Sequence, residues 1–431
     1  MCAPLPKPDL PPPQVHTLAN GVRVVCDPMP GLETLALSVV AGRGARYEDA
    51  DRSGWSHLLE HMVFKGAGVR SAREIVEEIE AAGGSINAAT GYERTSYQVR
   101  ALKGGLDLGL AVASDLLLRP TLDLDDLARE KQVVNQEIAE AADTPDDLVF
   151  ELAQSAAFDG HALGRPILGV ATSIAAATPD GLEAWRRSLY SPDALVVSAA
   201  GAVDVAELLA LADRHFGHAP AGGAPPEPAS ARFVGGLRPM GKRLEQANLA
   251  ILLPAIGATH PDYFALRLFA EILGGGMASR LFQEARERRG LAYAIDAYAE
   301  TYSDTGVLGV FAGCAARDAM ELARVAAGEI AGMTRGVEAA ELARAKAQLK
   351  ASLFMSRESA LARAEQAAGQ VLLFGRVLAP ADLSAAIDAV TPEDLARLGQ
   401  EILSQQSCAA AVLGPRPALG AGEAFRRALF D

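Results

Sequence analysis

Cysteine is scarce in this chain: four residues in 431, at Cys2, Cys26, Cys314 and Cys408, with no C-x-x-C pair. Such spacing indicates neither a disulfide framework nor a thiolate zinc site, and a reducing compartment is the simpler reading. Long apolar runs are missing too, so no membrane span of about 20 residues is expected. Basic residues are outnumbered 40 to 54 by acidic ones, and the formal charge of −14 argues against a nucleic-acid backbone as partner. The proline-rich start, Met1 to Pro13, lacks an apolar h-region and an Arg-rich amphipathic pattern. It reads as a stiff lead-in rather than a targeting peptide, and the cytoplasm is the expected location. What the chain has is length and apolar content. Half its residues are hydrophobic, and 431 residues exceed one ordinary core, so two or more domains of about 200 residues are expected.

Histidine is sparse as well, seven in all, yet two stand four apart in His57-Leu58-Leu59-Glu60-His61. Residues four apart lie one turn above each other on the same helix face. His57 and His61 can therefore offer two imidazoles to one metal ion, with Glu60 beside them. H-x-x-E-H is a zinc-hydrolase pattern. Gly54, Trp55 and Ser56 can open the helix, Leu58, Leu59 and Met62 cover it, and Lys65-Gly66 can close it. Catalytic zinc usually takes three protein ligands and keeps an open position, so a third must come from elsewhere. The segment around Glu130 and Glu137 reads as a helix with Leu127, Val134 and Ile138 on its apolar side. The two glutamates are two turns apart and share a flank, which by itself also describes a solvated helix face.

In chain order, Val15 to Cys26 reads as a hairpin about Asn20-Gly21 and Thr34 to Ala41 as an apolar strand. After the histidine helix, Ser71-Ala-Arg-Glu74 is a capping box before a helix that buries Ile75 and Ile79 and stops at Gly83-Gly84. Ser85 to Ala101 reads as two strands about Thr90-Gly91-Tyr92, followed by helices near 104–118 and 123–141. His161 falls in a loop, where a bond to backbone is the expected role. Helix 179–189, strand 194–202 and helix 204–216 complete the first half. The Ala/Gly/Pro-rich stretch 219–230 is the linker candidate. Beyond it come a strand at Gln246 to Pro254, helices at 261–273 and 278–289, strands at 293–301 and 305–313, and helices near 317–331 and 338–368. This order repeats the first half: Leu122 to Lys131 parallels Val337 to Lys346, which puts Ala345 at the place of Glu130 and Ser352 at that of Glu137. No second H-x-x-E-H occurs. The expected architecture is α+β, with residues 1–218 and 231–431 as duplicated domains, each a mostly antiparallel sheet covered by helices.

The blocks Gly-Trp-Ser-His-Leu-Leu-Glu-His-Met-Val-Phe-Lys-Gly, Glu-Ala-Ala-Gly-Gly-Ser-Ile-Asn-Ala-Ala-Thr and Leu-Gly-Gly-Gly-Met-Ala-Ser-Arg-Leu-Phe, with Arg-Gly-Leu-Ala-Tyr, resemble the pitrilysin-type (inverzincin, M16) zinc metallopeptidases over nearly the whole chain. The likeness is to the short processing-peptidase branch, which includes the mitochondrial processing peptidase β subunit and bacterial homologues. It implies a zinc endopeptidase acting on peptides or unfolded segments held as strands in a closed chamber. It also implies one zinc per chain on His57, His61 and Glu137, with Glu60 as general base and Glu130 supporting a ligand. Ser85 to Thr90 reads as an edge strand near the histidine helix, able to take up an extended peptide. By resemblance Asn87 and Ala88 contact substrate there, and Arg286 and Tyr293 bind its backbone. Gly274-Gly275-Gly276 lacks the ending of a phosphate loop and reads as a helix-joining or substrate-handling loop. Two domains without a further pair imply a homodimer, or a heterodimer with a homologous subunit. The alternative is a non-catalytic or partner-dependent subunit of a peptidase-like complex.

Overall fold

The computed structural model describes residues 12–221, 223 and 225–431. Strands β1 (Gln14–Thr17) and β2 (Arg23–Pro28) pair antiparallel. Their turn is a five-residue loop rather than the tight two-residue form, closed by Leu18 N–H to Val22 O at 2.8 Å, with Gly21 at φ +98°. β3 (Thr34–Ala41) follows, then α1 (Trp55–Val63), a minor pair β4 (Gly66–Ala67) and β5 (Arg70–Ser71), and α2 (Ala72–Ala81). The capping box forms as expected: Ser71 N–H donates to Glu74 at 2.8 Å and Glu74 N–H to Ser71 Oγ at 3.3 Å, while Ile75 and Ile79 are buried. β6 (Ser85–Thr90) and β7 (Thr95–Leu102) form a hairpin. Helices α3 (Leu106–Leu118), α4 (Leu124–Asp143), α5 (Pro145–Ala157), α6 (Ala171–Ala176) and α7 (Pro179–Leu189) lead to β8 (Leu195–Gly201) and α8 (Val205–Phe216). Among the described residues of 219–230 there is no helix or strand.

The second half opens with β9 (Gly236–Gly241), a short strand the residue pattern hides behind Pro239, and β10 (Gln246–Ala255). α9 (Tyr263–Gly274) precedes a π-type helix over Phe282–Arg288, where an ordinary α-helix was expected. β11 (Ala292–Thr301), β12 (Gly306–Ala315) and α10 (Ala319–Met333) come next. The single helix expected at 338–368 is two, α11 (Ala339–Ser356) and α12 (Ala360–Phe374), because Ser359 leaves the helical path and caps the second through Ala362 N–H at 3.3 Å. α13 (Pro380–Ala389), α14 (Pro392–Ser404), β13 (Ala409–Gly414) and α15 (Ala421–Phe430) complete the chain.

One sheet runs β1-β2-β8-β3-β7-β6 and the other β11-β12-β10-β13-β9. Each is antiparallel apart from one pair, β2 with β8 and β9 with β13. Read from the β6 and β11 ends, the two orders coincide, parallel pair included, so the duplication written in the sequence is present in the topology. The fold is α+β with two copies of a helix-covered sheet.

The compact units are not the contiguous halves 1–218 and 231–431. The first takes in the chain up to Val134, Thr172–Glu227 and Phe354–Ala379, and the second takes in Asn135–Ala171, Pro228–Leu353 and Pro380–Asp431. Each half thus lends a helix to the other's sheet. α12 lies across β2, β3 and β8, burying Ala367, Ala368 and Val371 against Val25, Val40 and Val196. α5 lies across β9, β10 and β13 in the same manner. α12 is further tied down by Arg363, whose guanidinium grips both carboxylate oxygens of Asp27, one of them at 2.6 Å, in a pair that is almost wholly buried.

Candidate metal centre and active site

Helix α1 begins at Gly54, whose φ of +89° turns the chain into the helix axis. The buried carboxylate of Glu48 accepts from Gly54 N–H at 2.8 Å and Ser56 N–H at 2.7 Å, meeting the unpaired amides of the first turn and the positive end of the helix. Leu58, Leu59, Met62 and Val63 are fully buried, and this fixes the helix rotation so that His57, Glu60 and His61 share the less covered face. The imidazoles of His57 and His61 lie 4.7 Å apart between ring centres. Burial, and the neighbouring His61, lower the pKa of His57 to about 4, so it is a neutral donor at working pH.

Helix α4 is one unbroken element that carries both acidic candidates. Its face holds Leu127, Glu130 and Val134 buried, and Glu137 lies one turn beyond Val134. Ligand atoms of His57, His61 and Glu137 all lie within 4.8 Å of one another. Glu130 stands behind this cluster rather than in it. Its Oε2 lies 3.0 Å from His61 Nδ1, and Lys65 Nζ donates to its Oε1 at 2.8 Å. Although burial pushes the Glu130 carboxyl up, the hydrogen bonds from Lys65 and His61 bring it below the ordinary glutamate range. A carboxylate at Nδ1 keeps the proton there and leaves Nε2 of His61 as the donor atom. Two imidazole nitrogens and one carboxylate oxygen form a donor set that suits zinc.

Glu60 faces the hairpin of β6 and β7. Thr90 Oγ1 donates to its Oε2 at 2.5 Å. Behind it the phenols of Tyr97 and Tyr190 share a hydrogen bond of 2.8 Å and are entirely enclosed. Burial chiefly, and the negative charge of Glu60 in addition, raise the pKa of both phenols.

β6 is an edge strand, as expected, with Asn87 exposed and Ala88 half-buried opposite Tyr97. Arg286 and Tyr293 belong to the second unit. The π-type helix carries Arg286, exposed, with its guanidinium 4.6 Å from the Phe282 ring centre. Tyr293 sits where the β11–β12 register slips between Ala292 and Ala294, and it is 62% exposed. Such irregularities re-aim side chains out of the regular lattice. His161 bonds to backbone as expected, with Nδ1 accepting from Leu163 N–H and Nε2 on Ala229 O. The contacts of Glu48, Lys65 and Thr90 in the site were not legible in the sequence, where Lys65 reads as a helix end and Thr90 as a strand end. For Lys65 a signal existed, since it falls one turn after His61.

A family model described as Insulinase (Peptidase family M16) matches residues 23–171, and one described as Peptidase M16 inactive domain matches residues 176–349. Together they span well over half the chain. A protein of Rickettsia felis named as an uncharacterized zinc protease is 34% identical over 411 residues, covering 94% of this chain and 98% of its own length. The chain belongs to peptidase family M16. Another relative of this M16 chain, the uncharacterized zinc protease YmxG of Bacillus subtilis, is 33% identical over 391 residues, covering 90% and 95% of the two chains. The M16 fold is shared with a solved protease from Helicobacter pylori, at TM-score 0.88 and 22% identity, over 94% of this chain and all of that one. The model that bears the word inactive falls mainly on the second copy, where Ala345 and Ser352 stand at the places of Glu130 and Glu137.

Proposed function

We propose that this M16 chain is a zinc-dependent endopeptidase that cleaves peptides or unfolded segments bound as extended strands. The convergence of His57, His61 and Glu137 within 4.8 Å, with Glu60 on the same turn of α1, carries this reading. The zinc-protease names of its relatives agree with it. His57, His61 and Glu137 would hold one ion, and Glu130, steadied by Lys65, would fix the tautomer of His61. Zinc supplies Lewis acidity toward water and the scissile carbonyl when bound. Glu60 accepts the proton of the attacking water on its carboxylate and delivers it to the leaving amine nitrogen. The open edge of β6, at Asn87 and Ala88, offers main-chain donors and acceptors to an extended substrate. Arg286 and Tyr293, both exposed, suit contacts to peptide carbonyls. A dimer, with itself or a homologous subunit, completes the proposed enclosed chamber, and the cytoplasm is its proposed location.

Glu60→Gln tests the assignment. The variant is expected to keep its zinc and to lose peptide cleavage by about 10²- to 10⁴-fold, the range for a positioned acid–base group. Cleavage at the wild-type rate would remove Glu60 from the mechanism. Wild type that binds zinc stoichiometrically and cuts nothing, with or without a partner subunit, would establish the scaffold reading instead. The second family model, described as an inactive domain, favours that alternative for the second copy alone.

A further inference from the structure

We infer that Thr90 is a positioning residue for Glu60, so that the strand offered to the substrate also aims the base that cleaves it. The inference rests on the endopeptidase reading. The terminal torsion of a glutamate is broad and roughly two-fold, so the helix alone does not fix how the Glu60 carboxylate is turned. The Thr90 hydroxyl, donating to Oε2 at 2.5 Å, ties that oxygen to the strand. Strand alternation places Ile86, Ala88 and Thr90 on one side of β6 and Asn87 on the other. The hydroxyl belongs to the last residue of the strand, and that residue is held firmly. Thr90 pairs with Thr95, Gly91 N–H bonds Arg94 O at 2.8 Å, and the turn is clamped by Ala45 N–H to Gly91 O and Arg46 N–H to Tyr92 O at 3.0 and 2.8 Å. A Cβ on Gly44 would lie 2.2 Å from Gly91 O, so the clamp admits no larger residue there. A peptide added to the free edge of β6 is therefore set in register by the same backbone that orients Glu60. Substrate alignment and base alignment share one rigid strand.

The test compares the zinc-loaded full chain with Thr90→Val, which keeps shape and strand preference but not the hydroxyl, and Thr90→Ser, which keeps the hydroxyl. Thr90→Val is expected to lower kcat on a quenched fluorescent peptide about 10- to 100-fold, the value of a hydrogen bond to a charged group. KM should stay within about twofold, because the strand edge is unchanged. Thr90→Ser should recover most of the rate. Zinc content by mass spectrometry, and labelled-peptide affinity measured by anisotropy in a Glu60→Gln background with and without Thr90→Val, should not move. A Thr90→Val enzyme with wild-type kcat overturns the inference, as does a loss confined to KM, a change in zinc content or peptide affinity, or a failure of Thr90→Ser to rescue. A wild-type chain that cleaves nothing overturns the endopeptidase reading and this inference with it, whereas the other failures leave the endopeptidase reading standing.

Discussion

Glu130 is held from two sides, by His61 and by Lys65, and neither contact exposes it to water. Removing a carboxylate that orients a ligating imidazole typically weakens metal binding 10- to 100-fold. Glu130→Gln is therefore expected to raise the zinc dissociation constant by about that factor, read by competition with a chromogenic chelator at pH 7. Lys65→Met should give a smaller change in the same direction, because the hydrogen bond to His61 survives it. At this scale the sequence was partly legible. The helix period alone brings His57 and His61 onto one face, and two turns separate Glu130 from Glu137 along another. Which glutamate joins the imidazoles and which stands behind them depends on how α4 lies against α1, and that is not written in either segment. The hydroxyl of Thr90 was hidden for the same reason: its partner is thirty residues away, on a different element.

Among the elements, α12 shows how a buried ion pair fixes one arrangement of helix and sheet. Asp27 and Arg363 are 1% and 3% exposed and lie 336 positions apart. Arg363→Leu strips the buried Asp27 carboxylate of its hydrogen-bonded partner and is expected to cost about 3–5 kcal/mol in urea unfolding. Replacing both partners by leucine should recover most of that loss, since the buried carboxylate leaves with its partner. The strands and most helices could be read from apolar alternation and caps, as at Thr34–Ala41 and Ser71-x-x-Glu74. Periodicity could not show the break at 357–359, because Ser359 is polar in either setting. Nor could it show the π-type winding at Phe282–Arg288, which leaves the pattern of side-chain types unchanged. The short strand β9 was missed because Pro239 argues against an interior strand, and at a sheet edge that objection lapses.

For the whole molecule, the exchange of α5 and α12 decides what can fold alone. Residues 1–218 without the remainder would leave the apolar faces of Val25, Val40 and Val196 bare, and residues 231–431 would lack the helix across β9, β10 and β13. Either piece expressed singly is expected to aggregate, whereas co-expression should yield a soluble complex of both, read by size-exclusion chromatography. Two independently folding halves would contradict the exchange. The composition of 219–230 marks it as a linker candidate, but the crossing of the helices was not legible, since each reads locally as an amphipathic helix like any other. The same lacing sets what the second copy contributes. With Ala345 and Ser352 at the places of Glu130 and Glu137 it lacks the acidic pair, yet its helix α12 roofs the first copy's sheet. Removing that copy would take a structural beam from its sibling.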